Sequence, residues 1–358
     1  MRGEIVCGIL VSAGCLTSVA QAQGSVTLYG TIDTGIEYAN VGGVTTMRAD
    51  TSNVIPSRWG LTGQEPLGGG TSVVFKLENG FNSNTGTATQ SGALFGREAW
   101  VGVKSDDLGK LQVGVNYTVF DTTLLIYTMG FGWGNASTNF TYTPMLRSNN
   151  SVRYESPKIH GFSMIATYAL GANGSTTLPR TFGNTASVGL RYSTKDFSAD
   201  ADFMTQVYSP GTTVTAASST STGNYSLFAV KYDFHFLTVG GVFQMYRGGA
   251  GAVNYTTDAN VDNNFYEVVV NVPINKSNLL FSFGQSKDLA NSAGNATSYG
   301  VRYTYPLSKR TILYAGVTEI VNGSAASFTD NSTAAAGVPI GAPGRNVTAG
   351  TIGMAHNF

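Results

Sequence analysis

The sequence predicts an all-β fold, a 16-stranded antiparallel transmembrane β-barrel, and three observations carry that reading. Charged residues make up only 12% of the chain while hydrophobic residues reach no more than 42%, so Gly, Ser, Thr, Asn and Tyr fill a share that a water-soluble surface gives to charge. Polarity alternates with a period of two in segment after segment, as strands with one face to lipid and one to water require. The connections between segments alternate between short and long. Beyond the first residues no stretch of about 18 apolar residues occurs, which excludes a helical membrane span.

The chain opens Met1-Arg2-Gly3-Glu4, continues through an apolar run from Ile5 to Leu16 and reaches Val19-Ala20-Gln21-Ala22. This is the pattern of a cleaved signal peptide over residues 1–22, with Gln23 starting the exported chain. A lipid attached at Cys15 is the weaker alternative, because Ser12 stands where a Leu is expected. Both cysteines, Cys7 and Cys15, lie within the signal, so the exported fold must be stable without disulfides. No linker or composition shift divides residues 23–358, which form a single barrel domain.

In Val26 to Tyr38, the parity carrying Val26, Leu28, Ile32 and Ile36 suits lipid, and the parity carrying Tyr29, Thr31, Asp33 and Glu37 suits water. Val73, Phe75 and Leu77 alternate with Lys76 and Glu78; Phe228, Val230 and Tyr232 with Lys231 and Asp233; Tyr299, Val301 and Tyr303 with Arg302. Such segments begin near residues 25, 57, 71, 93, 109, 149, 162, 185, 197, 224, 237, 264, 278, 297, 311 and 346. Roughly 21 residues fall to each strand with its connection, the size this architecture needs. Short connections are dense in turn formers, as at Glu65 to Gly70, Ser105 to Gly109, Ser156 to Gly161, Pro273 to Ser277 and Leu307 to Arg310. Long ones are expected at Ala39 to Pro56, Gly171 to Asn184, Pro210 to Asn224, Arg247 to Asn263 and Gly323 to Arg345. Because an open sheet edge cannot lie in lipid, the strand at Val26 must pair with the one at Asn346 to Phe358. Aromatic residues near strand ends, Tyr29, Tyr38, Tyr154, Tyr168, Tyr305 and Phe358, are compatible with interfacial girdles or with ordinary strand positions.

The stretch from Asn116 to Asn149 keeps no steady period, and is expected to fold into the bore as a long functional loop. Lysine plus arginine equals aspartate plus glutamate at 21 each, which argues against a nucleic-acid partner. His160, His235 and His356 have no metal-ligand spacing, no Gly-x-Ser-x-Gly elbow occurs, and Gly68 to Gly70 lack the Lys-Ser/Thr of a phosphate loop. No catalytic residue, cofactor or metal is therefore expected.

Several stretches resemble the general, non-specific trimeric porins of Gram-negative outer membranes, in their β-proteobacterial branch. They are Val26-Thr-Leu-Tyr-Gly-Thr-Ile-Asp33, Ser57-Arg-Trp-Gly-Leu-Thr-Gly-Gln-Glu65 with Leu67-Gly-Gly-Gly70, Phe95-Gly-Arg-Glu-Ala-Trp-Val-Gly-Val103, Asn150-Ser-Val-Arg-Tyr-Glu-Ser-Pro157 and Gly353-Met-Ala-His-Asn-Phe358. The resemblance implies a homotrimer of 16-stranded barrels in outer-membrane lipid and lipopolysaccharide, each with an inward-folded third extracellular loop, passing small hydrophilic solutes and ions by passive diffusion. It implies a pore constriction with Arg58, Arg97 and Arg147 on the wall facing Asp121 on the loop. It also implies that Phe358, with His356 and Met354 on its face, forms the signal read by the barrel-insertion machinery.

By parity Glu78 and Arg153 are further inward candidates. Fixed charges across a low-dielectric constriction orient and sort ions. Asp121 is the only acidic residue between Asp107 and Glu155, which tilts the expectation toward modest anion preference and toward a loop that narrows the pore by bulk. Two alternatives stay open. Phe120, Tyr127, Phe131, Trp133 and Phe140 could form an aromatic track in a substrate-selective channel, or the chain could serve as a barrel adhesin or enzyme.

Overall fold

The computed structural model describes residues 24–130, 132–140, 146–171, 183–208, 221–248, 262–330 and 343–358. The expected signal peptide, Phe131, residues 141–145 and the greater parts of the long connections expected after Gly171, Pro210, Arg247 and Gly323 lie outside the described residues. The strands are β1 (Ser25–Val41), β2 (Val44–Thr51), β3 (Arg58–Gly68), β4 (Thr71–Gly80), β5 (Glu98–Ser105) and β6 (Gly109–Tyr117). Two helices follow, α1 (Val119–Tyr127) and α2 (Ala136–Phe140), then β7 (Arg147–Glu155), β8 (Phe162–Ala169), β9 (Thr185–Ser193), β10 (Phe197–Tyr208) and β11 (Ser221–Asp233). The last are β12 (Thr238–Arg247), β13 (Asn263–Ile274), β14 (Ser277–Asp288), β15 (Ala296–Pro306), β16 (Thr311–Asn322) and β17 (Val347–Asn357).

Every neighbouring pair runs antiparallel, and β1 closes on β17 from Thr31↔Asn357 to Val41↔Val347. The 17 segments make a closed barrel of 16 strands, because β2 and β3 are two halves of one. β1 pairs with β2 along its outer half, Thr34↔Thr51 to Val41↔Val44, and with β3 along its inner half, Ser25↔Gln64 to Thr31↔Arg58. The expected long connection from Ala39 to Pro56 is therefore corrected. Gly42 and Gly43 form a two-residue turn, with φ of 56° and 96°, and the chain returns at once as β2. Val-Gly-Gly-Val is a hairpin signal, but Val44-Thr-Thr-Met-Arg-Ala-Asp-Thr51 alternates too weakly to show a strand on its own.

Between the two halves, Ser52 to Ser57 bulge inward. Asp33 holds them: one carboxylate oxygen accepts from the Val54 and Ile55 backbone N–H groups at 2.7 and 2.8 Å, and the other accepts from Tyr314 Oη at 2.6 Å. The irregular backbone is thus satisfied from within the barrel, where lipid cannot reach it.

The two faces separate as the alternation demands. On β1 the outward Val26, Leu28, Ile32 and Ile36 are 42–66% exposed, whereas inward Asp33 and Glu37 are fully buried. Those apolar side chains would be a penalty in water and call for an apolar surrounding, lipid or protein. At the ends of β8 to β12 that carry short turns, rings pack in a row, Phe162 on Tyr192 at 4.7 Å, Tyr192 near Phe197 at 6.4 Å, and Tyr232 on Phe234 at 4.6 Å, a girdle at membrane-headgroup level. Tyr29 is not part of such a girdle. It points inward and donates to Glu78 at 2.7 Å.

Asp33→Ala removes the acceptor of three buried or half-buried donors and is expected to cost roughly 2–4 kcal/mol, while Tyr314→Phe removes the bonds to Asp33 and from Asn53 Nδ2 but leaves the Val54 and Ile55 N–H groups their acceptor, and costs less. Urea unfolding midpoints of the two variants test the order, and equal midpoints would refute the role given to Asp33.

Candidate functional site: the lumen constriction

The connection from β6 to β7 turns into the bore, closed at its root by the Thr118 N–H to Leu146 carbonyl bond of 3.0 Å. It is not wholly irregular, since it carries α1 and α2. α1 packs on β8 to β12 and α2 on β13 to β15. Close approach is possible because the wall carries glycine at the contact points. A Cβ on Gly240 would overlap the Tyr127 carbonyl, one on Gly300 the Gly134 carbonyl, and one on Gly284 the Ala136 side chain.

Wall charges latch the loop. The Glu267 carboxylate, buried on β13, accepts from the Ala136 and Ser137 N–H groups at 2.8 and 2.9 Å and from Ser282 Oγ at 2.5 Å, satisfying the free donors at the start of α2. Arg302 on β15 donates to the Trp133 carbonyl and to Asn135 Oδ1, both at 3.0 Å. Asp200 on β10 accepts from Tyr127 Oη at 2.8 Å and Thr123 Oγ1 at 3.0 Å while paired with Arg191. The Trp133 N–H reaches the Asn53 carbonyl at 2.5 Å, tying the loop to the break between β2 and β3.

This packing corrects one alternative. Phe120, Tyr127 and Phe140 are fully buried and Trp133 is 3% exposed, so these four face the wall rather than the passage. Phe120 meets Tyr225 edge-on at 6.2 Å, and Phe140 lies between Phe265 and Phe328 at 6.3 and 4.8 Å. Phe131 is outside the described residues.

With the loop against β8 to β15, the bore left open runs along β3 to β7. Glu78 is the centre of the charge cluster there. Its carboxylate takes Arg97 Nε at 2.7 Å, Lys76 Nζ at 3.4 Å and Arg58 Nε at 3.7 Å. Arg97 extends a second nitrogen to Tyr117 Oη at 2.6 Å, and Arg147 donates to the same oxygen at 3.0 Å while lying over the ring at 4.5 Å. Arg153 pairs with Glu155 at 2.9 Å and donates to the Tyr117 carbonyl at 2.7 Å.

Arg58, Arg97, Arg147, Arg153 and Glu78 thus form one connected set through Tyr117 and the wall. Asp121 stands apart from it. It occupies the first turn of α1, where a carboxylate is favoured by the helix dipole, and is hydrogen-bonded to none of these arginines. Burial pushes its carboxyl up to about 6, against the lowering pull of Arg147 and Arg97. At the other end of the chain, Phe358 lays its ring over Gly30 and exchanges backbone bonds with it at 3.0 and 3.2 Å, and His356 meets Thr311 at 2.9 Å.

A barrel closed in this way, with a loop latched inside and a charged wall facing it, is matched by known proteins. The family model of the Gram-negative porins covers residues 9–325. The chain belongs to that family. An outer membrane porin protein of Bordetella pertussis is 31% identical over 83% of this chain and 89% of its own length, and outer membrane porin protein 32 of Delftia acidovorans is 26% identical over 100% and 99%. Among solved structures, an anion-selective porin from Comamonas acidovorans shares the fold with a TM-score of 0.76 at 22% identity, over 94% of this chain and 100% of that one. The protein is an outer-membrane porin of general type, seated in the outer membrane of a Gram-negative bacterium.

Sequence reasoning did not single out Tyr117, Glu267, Asp200 or Lys110 in this porin. Glu267 and Asp200 carry inward parity, which is a signal for facing the lumen but not for whom they meet there. Truncating the latch should loosen the loop. Open-channel current noise is expected to rise in the order wild type, Glu267→Gln, Glu267→Ala, and noise equal to wild type in Glu267→Ala would show that the loop is held by packing alone.

Proposed function

We propose that the porin works as a trimeric, water-filled diffusion channel that prefers small anions, with the constriction lying between α1 and the β3 to β7 wall. The observation that carries this reading is the surplus of cations on that wall. Arg58, Lys76, Arg97, Lys110, Arg147 and Arg153 face Glu78, Glu98 and Glu155, and Arg147 has no carboxylate partner among the described residues. A surplus of fixed positive charge beside a low-dielectric loop raises the local concentration of anions. The anion selectivity named for the Comamonas acidovorans porin supports the same sense.

Assembly as a homotrimer rests on the family and on the unequal outer surface. β8 to β12 carry the ring girdle, whereas β1, β5 and β6 expose aliphatic Val26, Leu28, Ile32, Val101, Val103, Leu111 and Val113, a composition suited to a neighbouring subunit more than to lipid headgroups. Residues 1–22 act as the export signal, Phe358 with His356 and Met354 as the insertion signal, and lipid and lipopolysaccharide cover the remaining face.

In a salt gradient across a planar bilayer the reversal potential is expected on the anion side and should move toward cations in Arg97→Gln/Arg58→Gln. An unmoved potential would place the selectivity elsewhere. Asp121 adds a pH test. Its carboxyl is charged above about 6 and neutral below, so lowering pH from 8 to 5 removes a negative charge and strengthens anion preference, with the midpoint near 6. Asp121→Asn should lack that step; an identical pH profile in the variant would remove Asp121 from the account.

A further inference from the structure

The lumen wall holds a second feature on the periplasmic side of the arginine cluster, and its anchor is Trp100. Of the three tryptophans, Trp133 belongs to the loop and is buried against the wall, and Trp59 packs on Phe95 at 5.9 Å. Trp100 alternates inward on β5 and stays partly exposed to the passage, its Nε1 donating to Glu98 at 2.9 Å. An indole face left in a water-filled bore is unfavourable unless something covers it.

Two of its neighbours along the wall are glycines, and its other contacts are charged. Across the ladder on β6 stands Gly114, and the next inward position on β5 is Gly102, so neither direction supplies a side chain. Across the ladder on β4 stands Lys76, and Lys110 holds its ammonium 5.3 Å from the indole centroid. Both lysines are shared with wall carboxylates, Lys76 with Glu98 and Lys110 with Glu155. The Lys110–Glu155 pair is partly exposed and worth little, so a solute anion can compete for that ammonium, while Lys76, held between the buried Glu78 and Glu98, contributes its charge in place.

We propose that Trp100, Lys76 and Lys110 form a subsite for planar aromatic monocarboxylates, which stack on the indole while the carboxylate meets a lysine ammonium. Stacking needs a flat face with no side chain projecting from the wall next to it, and Gly102 and Gly114 carry none. Charge recognition needs a cation that lies over the ring, gives way to the solute and then follows its carboxylate, which the flexible stem of Lys110 provides. Aliphatic acids of equal charge gain the second contact and lose the first. The subsite rests on the anion-preferring reading of the channel and names a solute class for it.

The test compares current block by 1-naphthoate and by cyclohexanecarboxylate, both monoanions at neutral pH, on purified trimer in a planar bilayer. In wild type, naphthoate is expected to half-block at a concentration about fivefold lower or better, the scale of one aromatic contact. Trp100→Leu should abolish that difference, Trp100→Phe should keep part of it, and Lys110→Gln should weaken block by both acids. Equal block by the two acids in wild type, or an undiminished difference in Trp100→Leu, would overturn the subsite. If Trp100→Leu fails to assemble, Trp100→Phe with Lys110→Gln decides, and no change in either variant overturns it. Wild-type reversal potential separates the two readings. A cation-side potential with naphthoate discrimination intact refutes the anion preference alone, and an anion-side potential with equal block refutes the subsite alone.

Discussion

Everything in this molecule follows from the need to leave no backbone group unpaired against lipid. The ladder between β1 and β17 meets that need at the seam, and Phe358 extends it to the last residue by trading bonds with Gly30. The one strand that breaks, between β2 and β3, does so toward the bore. There Asp33 can offer its carboxylate to Val54 and Ile55, whereas a break toward lipid would have left those N–H groups without acceptors at a cost of several kcal/mol each.

The same accounting governs the loop inside the barrel and divides the inner wall in two. Backbone that lies in the bore can be irregular only if wall or water satisfies it, and Glu267, Arg302 and the Asn53 carbonyl do so for the turn around α2. Because Glu267, Arg302 and the wall glycines sit on β12 to β15, the loop is drawn to that side. The opposite wall, β3 to β7, is left with charges that no loop backbone neutralises. Anchoring and passage are thus consequences of one asymmetry in side-chain size and charge around the barrel.

How much of this could be read from the chain depends on the range of the interaction. Strand positions are local, and the expected starts near 71, 109, 162, 185, 197 and 311 coincide with observed strands, because alternation is imposed residue by residue by the two solvents. β2 escaped because it is short and its first residues, Val44, Thr45 and Thr46, show no alternation, so only Met47 and Ala49 against Arg48 and Asp50 mark its two faces. The orientation of the loop was less legible for a different reason. Whether Phe120 or Trp133 faces water is decided by Tyr225, Asn53 and other residues remote in sequence, and nothing within Asn116 to Asn149 encodes that choice. Inward parity picked out Glu78 and Arg153, but Tyr117, which joins Arg97 to Arg147, carried only the signal of an ordinary strand aromatic.

Glu78 shows why the wall can be both stable and positive. Crowded guanidinium and ammonium groups in a narrow bore would repel one another and swing away, losing any fixed direction of field. One buried carboxylate shared among Arg97, Lys76 and Arg58 holds them in place while neutralising only one of their charges. Tyr117 extends the arrangement without adding charge, since its phenol oxygen accepts from Arg97 and Arg147 together. The acid is therefore what allows the cations to act as a group, and removing it would free positive charge yet disperse it. The proposed anion preference thus depends on cations that exceed their acids in number but are positioned by them.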